Sequence, residues 1–154
     1  MDRPGSYFSK DVQRSIDAPL STTFNWTFSH DDEIHLANSL HHADVTVNTE
    51  STMTLDAAAQ DKPVVLIGFD GNRKLPYSQS MIRNYDREHF AAVLVTKGAR
   101  LAKNMEELIS DINVYLKDPQ HDRKERDLLR TNLLYKNDGQ SAKRVADAVL
   151  KMLG

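Results

Sequence analysis

Cysteine is absent from this chain of 154 residues, which excludes disulfides and cysteine-based zinc sites and agrees with a reducing compartment. No apolar run approaches the roughly 20 residues that span a bilayer, and the opening "MDRPGSYFSK" lacks the apolar core of a signal peptide. A cytoplasmic location is the resulting expectation. Charge of either sign is not in excess: 20 basic residues stand against 22 acidic ones, a formal net charge of −2. Bulk charge therefore gives no sign of a nucleic-acid binder. Internal repeats and low-complexity tracts are also missing. Six histidines invite a metal reading, but His35, His41 and His42 cannot all point one way from one helix, and no H-x-x-x-H spacing occurs, so no metal site is expected.

What is present suits one soluble domain with a moderate core, 40% of residues being hydrophobic and 27% charged. Residues 1–29 are the least regular part, with turn chemistry in "RPGS" and "DAPLS" and an edge strand or ordered loop in "STTFNWTF". "SHDDEIHLANSLHHAD" reads as a helix capped by Ser29 or Asp31, with Ile34, Leu36, Ala37 and Leu40 as its apolar stripe. "DVTVN" (44–48) alternates like a short strand, "STMTLDAAAQ" (51–60) places alanines behind a Ser/Thr cap, and Pro63 opens the continuous apolar run "VVLIGF". Strand, helix and strand in that order predict a parallel pair joined by a right-handed crossover.

Beyond the loop "DGNRKLP" the signals conflict, and the balance predicts a helix up to about Thr96, with Gly98 as its C′ residue, then a strand at 100–102. "NMEELISDINVYLKDP" is the clearest helix, with a capping box between Asn104 and Glu107 and a face of Met105, Leu108, Ile109, Ile112, Tyr115 and Leu116. Residues 122–135 read as a charged helix whose basic and acidic residues form a solvated face. The closing "SAKRVADAVLKML" carries a stripe of Val145, Ala146, Val149, Leu150 and Leu153. The predicted fold class is α/β, a short Rossmann-like parallel sheet flanked by helices, with residues 1–29 as an irregular segment and 30–154 as the domain.

The stretch "NTESTMTLDAAAQ" carries the functional argument. In a strand–turn–helix arrangement Thr49, Glu50, Ser51 and Thr52 lie at the carboxyl end of a parallel strand, where open α/β sheets bind ligands. Free amides and the positive helix end suit an anion, above all a phosphate, and the Ser51 and Thr52 hydroxyls add donors. Asp56, four residues after Thr52, can accept hydrogen bonds from sugar hydroxyls. The same residues have a purely local reading, in which Ser51 caps the helix and Asp56 is a solvated first-turn acid. His30 is a candidate phosphate contact or a capping residue, and Arg73 and Lys74 either neutralise a diphosphate or belong to a solvated loop.

"HLANSLHHADVTVNTESTMTLDAAAQDKPVVLI" resembles the donor-nucleotide segment of GT-B glycosyltransferases, with a helix, "aDv-v", a small polar turn, an acid opening an alanine helix, and "g-k-P-v-v". The resemblance extends over about residues 30–153 and is closest to surface-carbohydrate transferases related to CDP-glycerol glycerophosphotransferases. Asp44 matches the acid that opens the strand, Ser51 and Thr52 the turn that meets the diphosphate, and Asp56 the ribose-binding acid seven residues before Pro63. The resemblance implies the donor-binding portion of a transferase in cell-surface carbohydrate synthesis. It would use a nucleotide-sugar or CDP-glycerol-type donor as substrate and no separate cofactor, and it would be inactive alone. UDP-N-acetylglucosamine 2-epimerases share the architecture, and a non-catalytic binding domain is the alternative of another class. Only 48 residues precede the turn and the family's Gly-rich loop is absent, so a separate acceptor-binding half or subunit is expected as partner, one that could bring the chain to the inner membrane face.

Overall fold

The computed structural model describes residues 29–154, and the expectations for residues 1–28 lie outside them. Two compact units meet in the chain between His42 and Ala43. The described part of the first is helix α1, His30–His42. Its start is a reciprocal cap: the Asp32 amide donates to the Ser29 hydroxyl oxygen at 3.2 Å, and the Ser29 amide donates back to the Asp32 carboxylate at 3.0 Å. Of the predicted stripe only Leu40 is buried, while Ile34 and Leu36 are exposed.

The second unit is an α/β domain. Strands β1 (Thr46–Asn48), β2 (Val64–Ile67) and β3 (Arg100–Ala102) form one sheet in the order β1-β2-β3, and both pairings are parallel. Thr46 pairs with Val64 and Leu66 with Leu101. Parallel neighbours need crossovers, and the chain supplies α2 (Met53–Ala59) between β1 and β2 and α3 (Glu88–Thr96) between β2 and β3. Crossovers that share the usual right hand and step in one direction place both helices on one face. Both pack against α5 (Arg123–Leu133). Helix α4 (Met105–Lys117) lies on β2 and β3, where Leu108 and Tyr115 join Val65 and Ala102 in the core. The central strand is consequently dry on both sides, with Val64, Val65 and Leu66 at 0% exposure, as its unbroken apolar run requires.

Capping explains the helix limits. The Glu107 amide donates to the Asn104 side-chain oxygen at 2.8 Å and the Asn104 side-chain amide donates to Glu107 at 2.9 Å, so α4 starts where the sequence predicts. Helix α2 ends in a Schellman motif, the Lys62 amide donating to Ala57 and the Asp61 amide to Ala58. Its αL position holds Asp61 at φ 55°, a costly place for a carboxylate at the negative end of a helix. The Arg126 guanidinium offsets that cost, donating to Asp61 at 3.1 Å and to the carbonyls of Pro119 and His121 while only 1% exposed. A second polar cluster fixes the start of β3: Arg100 donates to Asp122 and to Asp111, both at 2.7 Å, and its guanidinium lies 5.3 Å from the Tyr115 ring centre. Burial opposes ionisation of Asp122, but the hydrogen bonds from Arg100 and Tyr115 outweigh it and hold this carboxyl below the usual carboxylate range.

Four sequence expectations need correction. The αL residue that ends α3 is Lys97, at φ 59°, not Gly98. Gly98 is instead required by contact, since a Cβ there would lie 2.6 Å from the Glu125 carbonyl oxygen of α5. The segment ahead of α3 forms 3₁₀ turns at Tyr77–Gln79 and Met81–Asp86, so the helix begins only at Glu88. On α4, Met105, Ile109 and Leu116 are exposed, because a sheet of three short strands covers only part of so wide a stripe. The stripe of α6 (Ser141–Leu153) is exposed throughout.

Gly98→Ala should destabilise the domain by about 1–3 kcal/mol, because backbone and Cβ atoms of α5 must move to admit the methyl group. Urea unfolding of the two proteins measures this directly. Acid should discriminate a second variant. A carboxylate with a lowered folded pKa contributes stability above its unfolded value, about 3.9, and loses it as pH falls through the folded value. The gap in melting temperature between wild type and Asp122→Asn should therefore be wide near neutrality and narrow in strong acid.

Candidate functional site

The parallel sheet has one carboxyl edge, and the turn after β1 lies on it. Asn48 ends β1, and its side-chain oxygen accepts from the Thr54 hydroxyl at 3.3 Å. Thr54 is fully buried, so this bond pins the first turn of α2 to the strand end and fixes the course of residues 49–53. Ser51 then acts as a cap: its hydroxyl oxygen accepts from the Met53 amide at 3.2 Å and its carbonyl accepts from the Thr54 amide at 3.1 Å. The Leu55 amide donates to the Thr52 carbonyl at 2.8 Å. The first donors of this seven-residue helix are thus already engaged within the turn.

Beside the turn lies a cavity of about 350 Å³ lined by Glu50, Ser51, Thr52, Leu55, His89, Phe90 and Val93. That volume is at the lower end of small-molecule sites. Its deeper wall is apolar: Phe90 and Val93 are buried, and Phe90 packs edge-on against Tyr85 with ring centres 5.2 Å apart. The polar groups are Glu50, the two hydroxyl residues of the turn and the exposed His89. The Glu50 side chain is only 20% exposed, and its carboxylate lies 3.7 Å from the Arg87 guanidinium. Tyr85 donates its hydroxyl to the Ile67 carbonyl at 2.7 Å, at the end of β2. Burial, aided by the charge of Glu50, pushes this phenol up to about 12, so it remains a donor throughout the neutral range.

The structure brings together Glu50, Ser51 and Thr52 of the sequence-predicted set. Thr49 is exposed on the same turn and does not line the cavity. Asp56 is exposed one helical turn beyond Thr52, on the same side of α2 and outside the lining. Arg73 and Lys74 are exposed in the loop that follows β2, where the Arg73 amide donates to the Asp70 carbonyl at 3.2 Å. His30 belongs to the other unit, 3.6 Å from Glu33. Among the described residues no group of three or more His, Asp or Glu is arranged to hold a metal ion.

Sequence reasoning missed His89, Phe90, Val93 and the cation Arg87. A usable signal existed: a helix that follows a parallel strand starts at the carboxyl edge, so the first turns of α3 belong beside the turn after β1. A second hollow, of about 490 Å³, is lined by Arg100, Asp111, Asp122 and Glu125 among others. Its guanidinium is already neutralised by Asp111 and Asp122, which makes the cluster a brace for β3 and not a binding site. Comparison with protein-family models, with curated proteins and with solved structures finds no match.

Ser51→Ala removes the acceptor of the Met53 amide and should cost about 1 kcal/mol, lowering the melting temperature by a few degrees. Asp56→Ala, at an exposed helical position, should leave the melting temperature nearly unchanged. Paired thermal scans check both.

Proposed function

We propose that the α/β domain is the donor-binding portion of a transferase that uses a nucleotide-sugar or nucleotide-alditol, serving cell-surface carbohydrate synthesis. The observation that carries this reading is the cavity at the carboxyl edge of a parallel sheet, bounded by the turn Glu50–Thr52. The resemblance of residues 30–153 to GT-B donor segments supports it, since its turn residues and the cavity lining coincide at Ser51 and Thr52.

In this reading the nucleotide lies along the outer side of α2. Asp56, one helical turn beyond Thr52, takes the ribose hydroxyls, and the diphosphate lies near the Ser51 and Thr52 hydroxyls, within reach of the Arg87 cation. Stabilising that diphosphate as a leaving group is an electrostatic task. The acceptor and the general base belong to a partner half, joined or separate. The apolar face of α6, where Val145, Val149, Leu150, Met152 and Leu153 are all exposed, is consistent with such a partner.

Calorimetric titration with UDP and with CDP tests the reading. One of the two should bind, weakly, and Asp56→Ala should weaken that binding by roughly tenfold or more, the scale of a charge-assisted hydrogen bond. No heat with either nucleotide at millimolar concentration, from protein that circular dichroism shows to be folded, would overturn it.

A further inference from the structure

We infer that Glu50 is the residue that selects the transferred group, accepting hydrogen bonds from a neutral, polyhydroxylated ligand inside the cavity, while phosphates stay outside it. The inference rests on the donor-binding reading for the identity of the ligand, but its physical basis is the lining itself. A carboxylate with four-fifths of its side chain out of solvent stands at a hollow whose apolar lining is Leu55, Phe90 and Val93. Such a wall disfavours a second anion, by repulsion and by loss of hydration. Hydroxyl donors instead match it: an ionised carboxylate is an acceptor with two oxygens, suited to vicinal hydroxyls, and the apolar wall suits the C–H face of a sugar ring or a glycerol chain.

Arg87 limits the alternatives. At 3.7 Å, and more than half exposed, it offsets the charge of Glu50 without occupying it in a close hydrogen bond, so the carboxylate keeps acceptor capacity for a ligand. It also gives the site two poles, a carboxylate on the cavity side and a cation on the solvent side. A donor with a hydroxylated head and a diphosphate is polarised in the same sense. Asp56, exposed and outside the lining, cannot perform the inner task.

The test is a nuclear magnetic resonance titration of the full chain, labelled with nitrogen-15. The probes are UDP-N-acetylglucosamine against UDP, CDP-glycerol against CDP, and N-acetylglucosamine, glycerol and pyrophosphate alone. At least one hydroxylated probe should shift the amides of Glu50, Ser51, Thr52 and His89 saturably and bind more tightly than its unsubstituted nucleotide. Glu50→Gln should remove that advantage, a loss of roughly tenfold in the ratio of hydroxylated to plain nucleotide affinity, a ratio in which any effect of releasing Arg87 on the diphosphate cancels. Glu50→Asp, which keeps the charge, should retain part of it, and an unchanged spectrum of the free variants certifies folding. Pyrophosphate should leave the amides of Glu50 and His89 unmoved, and a saturable shift of both would place a phosphate inside the cavity and overturn the inference.

The inference falls if Glu50→Gln binds hydroxylated and plain nucleotides with the wild-type ratio, an outcome that leaves the donor reading standing. If UDP and CDP bind nowhere, the donor reading falls instead. The free sugar and glycerol then decide: shifts lost in Glu50→Gln uphold the role of Glu50, and their absence in wild type overturns it.

Discussion

Parallel pairing of β1 with β2 is the constraint on which the remaining architecture depends. Two strands that run the same way and follow each other in the chain cannot be joined by a hairpin, so a helix must intervene and lie on a face of the sheet. That single fact places the turn 49–52 at the carboxyl edge and starts α2 there. The pairing of β2 with β3 applies the same rule again and brings the first residues of α3 to the same edge. The cavity is the space between two helix beginnings delivered side by side by one sheet polarity. It is a product of topology first and of side chains second.

A sheet of three short strands supplies little area for a core, and the molecule makes up for it with buried polar ties. Arg126 and Asp61 link α5 to the end of α2 across 65 residues of sequence, and Arg100 gathers Asp111 and Asp122 where β3 begins. An ion pair of this kind contributes little by itself once desolvation is counted. Its value here is geometric, because an αL aspartate and two loop carbonyls need a donor that reaches them all, and a planar guanidinium with five N–H groups is that donor. Among the described residues no buried side-chain polar atom lacks a partner. These ties lie outside the cavity lining, beside which His89 and Arg87 are exposed.

Apolar surface that the domain leaves uncovered is concentrated on α6 and on one flank of α4, at Met105, Ile109 and Leu116. The α6 stripe has the periodicity of a core-facing helix, and among the described residues of this domain nothing packs on it closely enough to bury one of its residues. Periodicity expresses the capacity to be buried, and whether a surface exists to receive it is a separate matter.

The sequence by itself determined the elements. Capping chemistry at Asn104 and Glu107, the alanines of α2, the dry run after Pro63 and the alternation at 44–48 are local or nearest-neighbour signals, and each produced the element it announced. It also predicted the parallel sense of the first two strands, because a helical segment stands between them. Only the tertiary structure decided which residues share a cavity. Glu50 and His89 stand 39 positions apart, and their meeting follows from sheet order, which no window along the chain contains. The same holds for Gly98, whose local context suggested a helix cap while its actual reason is the backbone of α5 lying against it. Local free energies are written in neighbouring residues, whereas proximity at the site is set by packing between segments that the chain itself keeps far apart.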